Sequence, residues 1–136
     1  VNHELKNNTE ALSDFTHCIQ LDNNNSGCYT GRGWVNHELK NNTEALSDFT
    51  HCIQLDKNNS ECYNGRGIVN FSKTKYRAAL SDFEIAIKKD GQGVYYYNRG
   101  LSYNKLGNKG KACKDFRKSH QLGYSEAQTQ LDNYCK

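Results

Sequence analysis

Proline and methionine are absent from this 136-residue chain, tryptophan occurs once, and no run of about 18 apolar residues exists. The last absence excludes a hydrophobic helix spanning a membrane, and no stretch has the make-up of a secretory leader. Without an initiator Met, and with an opening that falls inside a repeat, the chain reads as a processed or excised piece of something longer. Chemistry is also thinly represented. Ser, His and Asp are plentiful, yet none sits in a nucleophile motif and no glycine-rich phosphate loop follows a strand, so we expect neither an enzyme nor a cofactor. His17-Cys18 and His51-Cys52 invite a zinc reading, but no CxxC or HxxxH spacing accompanies them, and the second pair only duplicates the first. No metal site is expected.

Apolar residues make up 35% of the chain, and the mean hydropathy is −0.95. That is polar for a compact globule and fits an elongated stack with two wet faces. Charge is split along the chain. Residues 1–68 carry 5 Lys/Arg against 9 Asp/Glu, or −4, while residues 69–136 carry 13 against 6, or +7. Such polarity points to an acidic partner near the C-terminal end, to head-to-tail stacking, or to a plain solvated lysine-rich face. The basic run Lys109, Lys111, Lys114, Arg117 and Lys118 lacks the interleaved aromatics of a nucleic-acid surface, so RNA or DNA binding ranks last.

What the chain does have is repetition. Residues 1–34 match residues 35–68 at all but four places: Asn23/Lys57, Gly27/Glu61, Thr30/Asn64 and Trp34/Ile68. Looser copies begin at Val69 and near Val94. A 34-residue period with a fixed apolar pattern is the mark of a helix–turn–helix solenoid. In the copy where the pattern is complete, Ser26 is the expected N-cap of a first helix over 27–40, and Ser60 of the corresponding helix in the next copy. Asn41-Asn42 then breaks the chain. A second helix follows with Ala45, Leu46, Phe49, Cys52 and Ile53 as its apolar stripe, and Glu44 near its positive end. The small pairs Gly33/Ala45, Gly67/Ala79 and Gly100/Ala112 are expected to face each other, with Phe49, Phe83 and Phe116 filling the space between repeats. Ser125 and Gln128 suggest a capping box. It would open a last helix with Ala127, Leu131 and Tyr134 inward and Glu126, Gln130 and Asn133 outward.

These residues resemble a tetratricopeptide repeat. The family pattern is present as Tyr29, Arg32-Gly33, Asn36, Ala45, Phe49. It recurs as Tyr63, Arg66-Gly67, Asn70, Ala79, Phe83 and as Tyr96, Arg99-Gly100, Tyr103, Ala112, Phe116, while the first unit keeps Leu5, Ala11 and Phe15. Asn36 and Asn70 stand where the family has an aromatic, and the family's closing proline is missing throughout. The resemblance implies an all-α fold, an α-solenoid of antiparallel helix pairs with a C-terminal capping helix. It divides one array into a partial repeat (1–25), three repeats (26–59, 60–92 and 93–123) and the cap (124–136).

The resemblance also implies a function: a protein-interaction scaffold that holds a segment of a partner in a concave groove. The family's groove positions fall on Gly27, Thr30, Trp34, His37 and Glu38, on Glu61, Asn64, Ile68, Phe71 and Ser72, and on Val94, Tyr97, Leu101, Asn104 and Lys105. Ile68 and Leu101 can equally pad the core between repeats. The clamp that some members use for a chaperone's C-terminal carboxylate would fall on Thr30, Trp34, Gly65, Val94 and Asn98. Only one Asn matches, so that mode is discounted. Self-assembly through the uncapped N-terminal end, giving a homo-oligomer, is the alternative.

Arg32, Arg66 and Arg99 each precede an aspartate (Asp48, Asp82, Asp115) by sixteen residues. On antiparallel helices this reads as structural ion pairs, with a basic ladder for a ligand as the other reading. Bridges Cys18–Cys28 and Cys52–Cys62 are conceivable if their Cα atoms lie within about 7 Å. Cys113 and Cys135 sit where antiparallel helices about Gly123 would bring them together, as a bridge or as two thiols. The ending resembles the tails of exported bacterial members of the family, which implies an exported or periplasmic compartment if that bridge forms. Asn7, Asn24, Asn41, Asn58 and Asn70 lie in glycosylation triplets that matter only in a secreting eukaryote.

Overall fold

The computed structural model describes residues 2–136, with side chains from Lys6 onward; Leu5 of the family pattern lies outside the described side chains. Eight helices follow one another: α1 (Asn2–Leu21), α2 (Ser26–Glu38), α3 (Asn42–Leu55), α4 (Ser60–Ser72), α5 (Tyr76–Lys89), α6 (Gly93–Lys105), α7 (Lys109–Gln121) and α8 (Ala127–Tyr134). No strand occurs among the described residues. α2/α3, α4/α5 and α6/α7 form the tightest pairs, each pair stacks on the next, and α8 closes against α7. The fold is therefore the expected all-α solenoid of helix pairs.

Asparagine starts these helices, one position before the serines expected to do so. Asn25 Oδ1 accepts the Cys28 N–H at 3.2 Å, and Asn59 Oδ1 accepts the Glu61 N–H at 3.1 Å. Asn108 does the same for α7, from the Lys111 N–H at 3.1 Å. The short amide side chain on extended backbone reaches the free N–H groups of the first turn, which leaves Ser26 and Ser60 as first helical residues. Before α8 there is no side-chain cap. Gln128 bonds the Ser125 carbonyl through its backbone N–H at 3.2 Å.

Each tight pair turns through a left-handed residue, Lys40 (φ 63°), Thr74 (φ 61°) or Gly107 (φ 82°). The next N–H closes the turn onto a carbonyl five residues back: Asn41 to Asn36 at 2.8 Å, Lys75 to Asn70 at 2.9 Å, Asn108 to Tyr103 at 2.9 Å. Glycine accepts such a φ freely, whereas lysine and β-branched threonine adopt it at a cost of roughly 1–2 kcal/mol. The turn is thus held by packing of the helices it joins. Residues 1–22 are identical to residues 35–56, yet the first copy runs as one 20-residue helix through Lys6, the counterpart of Lys40.

The core is a row of buried phenylalanines, Phe49, Phe83 and Phe116. The glycines of the repeat lie against these rings rather than chiefly against the buried alanines. A Cβ at Gly33, Gly67 or Gly100 would come within 2.9, 2.6 or 2.7 Å of the ring of Phe49, Phe83 or Phe116. A Cβ at Gly65 would strike Phe49 from the next repeat, 2.7 Å from Cδ1. Phe49 is therefore clasped between glycines of successive repeats, filling the gap as expected. In α8, Ala127 is buried but Tyr134 is 48% exposed. Gln130, expected outside, points inward and donates to Tyr97 Oη at 3.3 Å.

Candidate functional site

α2, α4 and α6, the first helices of the three complete pairs, lie side by side. Hydrogen bonds tie this row, among them Trp34 Nε1 donating to Glu61 Oε1 at 3.1 Å and Asn98 Nδ2 to Asn64 Oδ1 at 2.9 Å. Trp34 is half-buried and sets its edge on Phe49, centroids 5.1 Å apart. Ile68 and Leu101 recur at the same repeat position and are also half-buried. Phe71 lies edge-on to Tyr76 at 5.1 Å. Glu38 and Lys105 are exposed at opposite ends of the row, and Asn104 is half-buried beside Lys105.

Three other expected groove residues are placed differently. Thr30 and Asn64 are buried. Thr30 Oγ1 donates to the Ser26 carbonyl at 2.9 Å and lies 3.0 Å from Cys52 Sγ, so it lines the seam between repeats. Asn64 is occupied by Asn98. Tyr97 is shared with the cap, 5.0 Å from the Tyr124 ring and 5.7 Å from that of Phe116. Desolvation, aided by a hydrogen bond to Glu126, pushes the Tyr124 phenol up to about 12. His37 stands edge-on to Trp34 at 6.1 Å. Its Nδ1 is buried without a hydrogen-bond partner among the described residues, and desolvation lowers the imidazole pKa against the opposing pull of Glu38.

Behind the row runs a ladder of ion pairs: Arg32–Asp48 at 2.8 Å, Arg66–Asp82 at 2.9 Å and Arg99–Asp115 at 2.8 Å. Hydrogen bonding to the aspartates raises the Arg32 and Arg99 pKa values despite desolvation. Each guanidinium also lies over the tyrosine three residues before it, at 5.8, 5.8 and 5.6 Å. The unusual asparagines belong to this network, a role sequence reasoning missed. Asn36 Nδ2 donates to Asp48 Oδ2 at 2.9 Å, and Asn70 Nδ2 to Asp82 Oδ2 at 3.2 Å. In the last repeat Tyr103 holds that position, and Arg99 lies 5.8 Å from its ring centre. The available signal was the joint change: asparagine replaces the aromatic twelve residues before each of the first two aspartates.

All six cysteines are paired in the structure. Cys18–Cys28 joins α1 to α2 and Cys52–Cys62 joins α3 to α4, each with a Cα separation of 6.0 Å, while Cys113–Cys135 joins α7 to the end of the cap at 5.6 Å. Where the next junction would carry a pair stand Ala86 and Tyr95, whose hydroxyl reaches back to Ser60 Oγ at 3.1 Å. Among the described residues, no cluster of three or more His, Cys, Asp or Glu could hold a metal ion, and no helix is long and apolar enough to cross a membrane.

The model of the tetratricopeptide repeat matches residues 26–59 and 94–128, about half of the chain. The chain belongs to the tetratricopeptide repeat family. Solved structures carry the same fold. "YrrB: a TPR protein with an unusual peptide-binding site" superposes with a TM-score of 0.79 at 23% identity, over 86% of this chain and 62% of YrrB. TTC0263, a thermophilic TPR protein in Thermus thermophilus, reaches 0.87 at 12% identity, over 97% and 75%. The first TPR of Spaghetti (RPAP3), solved bound to an HSP90 peptide, reaches 0.78 at 21%, over 81% and 90%. The chain thus spans less than two thirds of YrrB, and identities this low carry fold alone. No curated protein sequence matches the chain. Members of this repeat family are in general protein-interaction modules, and membership supports that role for this chain.

Proposed function

We propose that the tetratricopeptide repeat chain holds an apolar-anchored segment of a partner protein along the row formed by α2, α4 and α6. The observation that carries this reading is the alignment of half-buried Trp34, Ile68 and Leu101 at one position of successive repeats, with Phe71 beside them. Such surfaces draw affinity from a few buried anchors. Exposed Glu38 and Lys105 give the row opposite charges at its two ends and so a preferred direction for the bound segment. YrrB and the RPAP3 domain, both described as peptide-binding, support the mode without identifying the partner. Asn98, the one match to a carboxylate clamp, is already bonded to Asn64, which argues against a chaperone tail here.

The test is selection of peptides from a random library on the immobilised chain, followed by titration against Ile68→Lys/Leu101→Lys. Both side chains are half-buried, so retained ellipticity at 222 nm is the folding control. Binding should fall at least tenfold; peptides that bind the variant as well as the parent would rule out the row. Self-association, the second reading, rests on the −4/+7 division of charge. It would appear as light scattering that falls as salt rises.

A further inference from the structure

The second helices of the three complete pairs, α3, α5 and α7, present corresponding residues on their outer sides. The corresponding places hold Glu44, Ser47, Thr50 and His51 on α3, and Ala78, Ser81, Glu84 and Ile85 on α5. On α7 they hold four cations, Lys111, Lys114, Arg117 and Lys118, and all four are exposed. The repeat fold therefore does not require positive charge there, and the mixed letters of α3 would keep that side wet equally well. At about 100° per residue the four cations span roughly 120° of the helix. They lie opposite the buried Ala112, Phe116 and Ser119. Leu122, 46% exposed, follows Lys118 by one turn on the same side.

The acidic groups around α7 are engaged elsewhere. Asp115, the one acid of α7, is 4% exposed and paired with Arg99 at 2.8 Å. Glu84 of α5 is half-buried beside Arg99 and Tyr103. Towards the cap, Glu126 accepts from Tyr124 Oη at 3.0 Å, and Asp132 of α8 from Gln128 Nε2 at 2.8 Å. None of the four cations has an ion-pair partner among the described residues; Lys111 lies over the Tyr103 ring at 5.6 Å.

We infer that the outer side of α7 docks on an anionic lipid bilayer, through a surface separate from the α2/α4/α6 row. Unpaired cations gathered on one side of a helix attract acidic headgroups, and Leu122 beside them enters the boundary of the acyl chains. Three of the four are lysines, compact charges on flexible stems that suit a fluid array of headgroups better than a fixed, forked partner. A nucleic acid would call for aromatic platforms among the cations, and the stripe has none.

Co-sedimentation of the full chain with sucrose-loaded vesicles tests this. Vesicles of phosphatidylcholine with about 30% phosphatidylglycerol should carry the chain down. Pure phosphatidylcholine should not, and rising salt should release the chain. Lys114→Gln/Arg117→Gln/Lys118→Gln should weaken binding at least tenfold; all three residues are exposed, so ellipticity should match the parent. Lys6→Gln/Lys40→Gln/Lys57→Gln removes the same charge from exposed places elsewhere and should bind as the parent does. Leu122→Gln should weaken binding by a smaller factor, about threefold. No sedimentation with the acidic vesicles, equal sedimentation with pure phosphatidylcholine, or equal loss in the two triple variants would each overturn the inference. So would capture of soluble polyglutamate through Lys114, Arg117 and Lys118 while vesicles stay free, since the partner would then be an acidic polypeptide.

Discussion

The central ion pair offers the sharpest test of how the array is held together. Asp82 is 4% exposed and its carboxylate accepts from Arg66 Nη2 at 2.9 Å, from Arg66 Nε and from Asn70 Nδ2. Arg66→Met leaves that carboxylate buried with only the asparagine for company. Breaking a buried pair from one side costs about 3–5 kcal/mol. The Arg66 side chain is 27% exposed, so water can reach the vacated space and the lower end, about 3 kcal/mol, applies. Asp82→Leu should cost less, about 1–2 kcal/mol, because the freed guanidinium can turn to solvent. In the double variant no buried charge remains, and the loss should shrink to about 1 kcal/mol for the unpaired Asn70 amide.

Urea denaturation followed at 222 nm measures these differences, and for a chain of this size about 3 kcal/mol corresponds to a fall in Tm of about 10 °C. Repeat arrays can unfold in parts, so amide exchange in α4 and α5 should accompany the titration and show whether the loss is local. The reasoning fails if Arg66→Met and Asp82→Leu cost the same and their costs add in the double variant. The carboxylate would then not depend on the guanidinium.

Two further expectations concern pH and redox state. Desolvation lowers the folded-state pKa of His37 below its ordinary 6.5, so the unfolded chain binds the proton more readily; stability is fully present above about pH 6.5 and falls as pH drops from there toward the folded pKa. His37→Gln should flatten that part of the stability–pH curve, and an unchanged slope would remove the assignment. Iodoacetamide on the folded, unreduced chain should add no mass, and reduction should expose six thiols; a loop closed by ten residues, as at Cys18–Cys28 and Cys52–Cys62, contributes about 2.5–3 kcal/mol on the chain-entropy model, so reduction should lower the urea midpoint.

The period, the helix pairs and the solenoid were legible because each copy restates the same apolar pattern, and no single residue had to be read correctly. Local detail was less so. Serine and asparagine both cap helices, and with Asn25-Ser26 and Asn59-Ser60 adjacent only the backbone decides which is the cap. The burial of Thr30 depends on how α3 and α4 meet around Cys52 and Cys62, a contact between distant parts of the chain. Asn36 looked like a defect in the family pattern. Its function emerges only when α2 folds back on α3 and brings it to Asp48, whose carboxylate needs a donor beyond the arginine.

The turn at Lys40 shows why such detail cannot be read from a window of sequence. Lys40 in the left-handed region costs roughly 1–2 kcal/mol, and nothing in the local letters offsets it. The offset comes from α2, whose Arg32, Gly33 and Trp34 reach Asp48 and Phe49 only if the chain reverses. The turn is therefore a property of the packed pair. It follows that a mutation loosening α2 from α3, such as Arg32→Met, should raise helical content at residues 39–41 even as overall stability falls. Backbone chemical shifts at Leu39, Lys40 and Asn41 would show it. If those residues keep their turn shifts while the ion pair is lost, the reversal is encoded in the turn itself.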